Sequence, residues 1–130
     1  FPARGLATVD LDNDGAVDVV VSNSGAAPLV LRNNGGHRAG FVGLELVTTK
    51  SAPGAAGASI RWRAGGKEFS RLRTAGGSYL SSHDPREVLG LGGAACEWIE
   101  VRWPSGIVDR IAAPPAGRYS RLVEGQGIGK

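Results

Sequence analysis

The sequence predicts an all-β fold of about eight to ten short strands, arranged as a sandwich or open barrel. Three features lead there. Glycine and proline, 21 and 7 of the 130 residues, interrupt the chain every few positions and leave no room for a long helix. Between them lie short runs rich in Val, Ile and Leu, several alternating apolar with polar at period 2. Tight-turn sequences such as AGG and PSG separate consecutive runs.

Taken in order, LATV (Leu6 to Val9) and VDVVVS (Val17 to Ser22) form the first two strands and flank an aspartate-rich loop. LVLRN (Leu29 to Asn33) follows a Gly-Ala-Ala-Pro turn. In FVGLELVTT, Val42, Leu44 and Leu46 alternate with Gly43, Glu45 and Val47. SIRWR and KEFSRLR read as a hairpin joined through Ala64 to Gly66, with Ile60 and Trp62 on one face and Arg61 and Arg63 on the other. Phe69 repeats the pattern opposite Glu68 and Ser70. CEWIEVRW, Cys96 to Trp103, breaks alternation at Trp98 and then sets Ile99, Val101 and Trp103 against Glu100 and Arg102. Pro104 and Gly106 suit a sharp reversal into IVDRIA, and RYSRLVEG supplies a last strand.

A composition seam at NNGGHRAG, Asn33 to Gly40, divides the chain into residues 1–36, one β-loop-β-β unit, and residues 37–130, the main β domain. Three strands cannot bury a core alone. The short, blade-like unit must therefore be packed on or linked to the second part, to another chain, or to further sequence. The chain starts at Phe1 rather than Met, which points to a mature or excised piece of something longer.

The chemistry concentrates in DLDNDGAVD, Asp10 to Asp18. Side-chain oxygens fall at loop positions 1, 3, 5 and 9, and the carbonyl at position 7 can complete a ring of hard donors. Gly15 at position 6 allows the positive φ that wraps the chain tightly. Oxygen donors without His or Cys select Ca²⁺ over zinc or copper, and the candidate ligands are Asp10, Asp12, Asp14, the Ala16 carbonyl and Asp18. The loop is no EF-hand: position 12 is Val21 instead of Glu, and both flanks read as strands. The competing reading is a metal-free Asp/Asn/Gly turn, which four carboxylates at this spacing strain by mutual repulsion. Nothing adjacent supplies a nucleophile or general base, so the expected role is in folding, not catalysis.

Elsewhere the composition mostly excludes. A net charge of +3 spread along the chain, with no basic run and few aromatics, argues against nucleic acid. No apolar stretch approaches the roughly 20 residues of a membrane span. The lone Cys96 sits in an apolar run as a small core residue.

GLATVDLDNDGAVDVVVSNSGAAPLVLRNNGG resembles an FG-GAP/VCBS-type calcium repeat. GASIRWRAGGKEFSRLRTAGGSYLSSHDPREVLGLGGA with IEVRWPSG resembles the ASPIC/UnbV domain that follows such repeats in cartilage acidic protein-like chains. The resemblance implies an extracellular, calcium-dependent β protein linked to adhesion or surface assembly, with no catalytic residues to carry over. It assigns calcium to Asp10, Asp12, Asp14, Ala16 and Asp18. A closed propeller needs several blades, and one copy is present.

Three further motifs weaken on inspection. SYLSSHDPRE holds Ser, His83 and Asp84 in a row, but a hydrolase triad needs convergence in space, so loop structure is expected. Trp62, Trp98 and Trp103 could stack on sugars, yet their strand positions favour packing. The glycines of LGLGGAA precede no helix pattern and make no dinucleotide motif. The expectation is a non-enzymatic, calcium-stabilised, extracellular structural or interaction module. Its partner is another protein or further copies of itself, assembling as a filament through the incomplete N-terminal unit. The alternatives are the C-terminal fragment of a larger propeller-type adhesion protein and a carbohydrate-binding module.

Overall fold

A computed structural model describes residues 2–35, 39–75 and 81–128, and among them there is no α-helix. The described residues form eleven strands in three open sheets. The boundary expected between Gly36 and His37 lies outside the described residues.

The N-terminal unit is an antiparallel meander of β1 (Ala3–Val9), β2 (Asp18–Asn23) and β3 (Leu29–Leu31). The aspartate loop is the connection between β1 and β2, and Val9 pairs with Asp18 at its neck.

Two four-stranded sheets make the main body. One has the order β11-β10-β4-β7, from Gly127–Ile128, Tyr119–Val123, Phe41–Val47 and Glu87–Gly90, with β10 parallel to β4. The other has the order β6-β5-β8-β9, from Lys67–Leu72, Ser59–Ala64, Cys96–Arg102 and Val108–Ala112, and is antiparallel throughout. A single apolar core lies between them. Val42, Leu44, Leu89 and Leu122 come from the first sheet, Ile60, Trp62, Ile99 and Val101 from the second. The sandwich is also pinned by a polar bond, because the Trp62 indole N–H on β5 donates to the Gly90 carbonyl on β7 at 2.9 Å.

Local chemistry explains the turns. Gly65 and Gly66 both have positive φ (60° and 76°), as a two-residue hairpin turn compatible with strand twist requires. At the PSG reversal the Gly106 N–H donates to the Trp103 carbonyl at 2.9 Å, closing the turn around Pro104.

The alternation expected in β4 holds on only part of the strand: Phe41, Val42, Gly43 and Leu44 are all buried. Each face has its own cover. Val42 and Leu44 point into the sandwich core. On the other side the Phe41 ring packs under the aspartate loop, and Gly43 leaves room for the Tyr119 ring. A Cβ on Gly43 would sit 2.4 Å from Tyr119 Cδ1, and one on Gly15 would sit 2.2 Å from Phe41 Cδ1.

Of the tryptophans, Trp62 and Trp103 are buried in the core. Trp98 takes the outer face with Glu100 and Arg102, where the guanidinium groups of Arg110 and Arg61 lie 4.4 and 5.9 Å from its ring centroid. They do not form a shared exposed platform.

Candidate functional site

The aspartate loop brings Asp10, Asp12 and Asp18 together: each offers a carboxylate oxygen within 4.8 Å of the others. Asp10 and Asp18 are each only 2% exposed, while Asp12 faces solvent. Asp14 lies outside this group and turns Oδ1 to the Ala16 N–H at 2.8 Å, a local side-chain-to-backbone turn. Ala16 is buried.

Burying two carboxylates is costly unless they are hydrogen-bonded, and both are. Asp10 Oδ1 accepts from Asp14 N at 3.1 Å, and Oδ2 accepts from Gly15 N at 2.9 Å and from the Tyr119 hydroxyl at 2.6 Å. Asp18 accepts from Asn33 N at 2.8 Å and Leu11 N at 3.1 Å. Those two backbone donors hold the Asp18 carboxyl below its ordinary range, against burial and with help from the charge of Arg32. Arg32 forms an ion pair with Asp12. Tyr119 is pushed above the usual phenol range by burial and by the negative Asp10 it serves, so it remains the donor.

The loop is seated by residues of the main body. Arg86 donates through Nη2 to the Asp10 carbonyl at 2.9 Å and through Nη1 to Asn13 Oδ1. It also forks onto Asp84, with Nη2 at 2.8 Å and Nε at 3.1 Å, and its guanidinium lies 4.2 Å from the Tyr119 ring centroid. Burial opposes charging Asp84, but the Arg86 guanidinium overrides it and holds the carboxyl below its ordinary range. His83 Nδ1 accepts the Thr8 N–H at 2.9 Å, and the Asp84 N–H donates to the Thr8 carbonyl at 2.8 Å, so residues 83 and 84 cover the edge of β1. Asp84 is thus committed to Arg86 and the loop.

The three grouped aspartates fit a hard divalent cation by donor type and spacing. All their donors are oxygens, two of the three carboxylates are shielded from water, and the nearby guanidiniums of Arg32 and Arg86 offset only part of the negative charge. Asp10, Asp12 and Asp18 could hold a metal ion there.

Sequence reasoning did not find Phe41, Arg86 or Tyr119 as parts of this site, and treated His83 and Asp84 as plain loop residues. The only available signal was glycine, at Gly15 and Gly43, where a ring needs the space of a missing Cβ. A second buried carboxylate was also missed. Glu124 accepts through Oε2 from the N–H groups of Thr49, Lys50 and Ser51 at 2.8 to 2.9 Å, and through Oε1 from the hydroxyls of Ser51 and Ser105. It ties the loop after β4 to the PSG turn. Burial works against its charge, but these donors prevail and hold it far below the ordinary carboxylate range.

Residues 48–129 match the family described as ASPIC and UnbV. No FG-GAP repeat is detected in the N-terminal unit. No curated protein matches the chain.

Proposed function

The chain belongs to the ASPIC/UnbV family, and from that premise we propose that it is a non-enzymatic, calcium-stabilised structural or interaction module of the extracellular space. The observation that carries the metal reading is the convergence of Asp10, Asp12 and Asp18 with two of the three shielded from water. Their chemistry suits a structural ion. The neighbouring polar groups are engaged in holding the loop, and a cation among them neutralises carboxylates that otherwise repel.

The interaction reading is supported by the N-terminal sheet. Leu29, Val30 and Leu31 of its terminal strand β3 are each about half exposed. Edge strands of this kind are normally blunted by charge or cover. The outer face of the β6-β5-β8-β9 sheet is instead charged, with Arg61 bridging Glu68 and Glu100. Partners are other proteins or further copies of this chain, in the latter case building a filament.

The deciding measurement is the thermal midpoint with excess EGTA and then with added Ca²⁺. Binding only to the folded state stabilises by about 2.7 kcal/mol at a concentration 100 times the Kd. Chelation is expected to lower the midpoint and Ca²⁺ to restore it, with Asp18→Asn abolishing the response. A midpoint indifferent to both would refute the structural metal.

A further inference from the structure

We infer that Arg86, which cannot itself ligate a cation, is the positioning residue that sets the affinity of the aspartate loop for its ion; this rests on the metal reading above. Four partners converge on one guanidinium: the Asp10 carbonyl, the Asn13 side-chain oxygen, both oxygens of Asp84, and the face of Tyr119. Two of these lie in the loop itself. Asp10 is the first ligand of the set, and Asn13 sits at the tip with φ 60°, in the left-handed region that Asn enters more readily than most non-glycine residues.

Asp10 is fixed from every side. Its N–H faces Asp84 Oδ2 at 3.4 Å, its carbonyl is held by Arg86, and its Oδ2 by the hydroxyl of the ring on which Arg86 lies. The Asp10 carboxylate is therefore oriented by Tyr119 of β10 together with the Asp14 and Gly15 N–H groups, on a backbone that Arg86 holds in place before any ion arrives. Outer-shell groups that orient ligands in this way control metal affinity without touching the metal.

Electrostatics and positioning predict opposite effects for this residue. A positive charge beside the site repels a cation, so a purely electrostatic Arg86 lowers affinity and its loss raises it. A positioning Arg86 raises affinity, and its loss lowers it. Arg86→Lys separates the two because the charge stays while the planar fork is lost. One ammonium cannot span the Asp84 carboxylate, the Asp10 carbonyl and the Asn13 amide together.

The test is Ca²⁺ calorimetry on the full chain, with the number of waters on bound Tb³⁺ read from luminescence decay in H₂O and D₂O. Arg86→Lys is expected to weaken Ca²⁺ binding by about 10–100-fold and to admit additional water to Tb³⁺. The far-UV circular dichroism should stay that of the wild type. Tyr119→Phe, which deletes one hydroxyl and leaves the ring under Arg86, should weaken binding in the same direction by a smaller factor. If the lysine variant fails to fold, Asn13→Gly, which keeps the positive φ and removes one of the two loop contacts of Arg86 without changing charge, decides the matter: weaker binding supports positioning and unchanged affinity overturns it. Unchanged affinity in a folded variant, or tighter binding, overturns the inference while leaving the metal reading intact. Failure of the wild type itself to bind Ca²⁺ or Tb³⁺ overturns both.

Discussion

Replacing Gly15 with Ala probes the contact that seats the loop on the main body. Gly15 has φ +83°, and an added Cβ would stand 2.2, 2.4 and 2.6 Å from Cδ1, Cγ and Cε1 of Phe41. A left-handed conformation costs a residue with a Cβ about 1–2 kcal/mol. Overpacking costs roughly a further 1–3 kcal/mol, because Phe41 is buried and braced by Tyr119, centroids 5.9 Å apart, and cannot swing aside. Reduced freedom of the unfolded chain returns about 0.4–1 kcal/mol. The net loss is roughly 1–5 kcal/mol, centred near 3 kcal/mol. Gly25→Ala is the control, since Gly25 has φ +71° but nothing within 4 Å of the added carbon; its net cost is about 1 kcal/mol.

All three tryptophans lie in the main body, so fluorescence would miss release of the N-terminal unit alone. Hydrogen exchange of the β1 and β2 amides reads it directly. Gly15→Ala should speed exchange there by a factor on the order of 100, against about 5-fold for Gly25→Ala. In a Phe41→Leu background the excess for Gly15→Ala should largely disappear. Equal acceleration by the two alanines would refute the claim that the Phe41 ring seats the loop.

Two more outcomes follow from the main body. Glu124 has its carboxyl depressed in the folded state, so the stability it contributes is complete above the ordinary Glu value of 4.5 and is lost as pH falls below it toward the depressed one. Urea midpoints measured from pH 6 downward, at values chosen as about 6, 4 and 3, should fall for the wild type, and Glu124→Gln should be less stable at neutral pH and lose less on acidification; parallel curves would contradict this. Trp62→Phe removes the indole bond to Gly90 and part of a buried ring, and should cost about 1–3 kcal/mol in urea unfolding. A neutral result would show that the bond between the sheets contributes nothing.

Much of the architecture was legible because strand formation is written locally. The period-2 faces of SIRWR and of IEVRW place Ile60, Trp62, Ile99 and Val101 in the core, and Gly65 and Gly66 make the hairpin turn expected of them. The runs named along the sequence leave out the four-residue β7 and the two-residue β11, both too brief to show a pattern. β4 escaped its alternation because whether its outer face meets water depends on a loop more than twenty residues away.

The sequence by itself determined the strands, their inward faces and the carboxylate-rich loop, since each depends on residues close together along the chain. Tertiary structure alone decided which aspartates converge. Asp10, Asp12 and Asp18 group together while Asp14 turns to its own backbone, an outcome of the loop's path over Phe41. It also decided that Arg86 and Tyr119, 76 and 109 positions from Asp10, hold that residue in place. Spacing along a chain reveals periodic faces and local turns. The partners of a buried charge are set by how distant strands pack, and no local pattern records them.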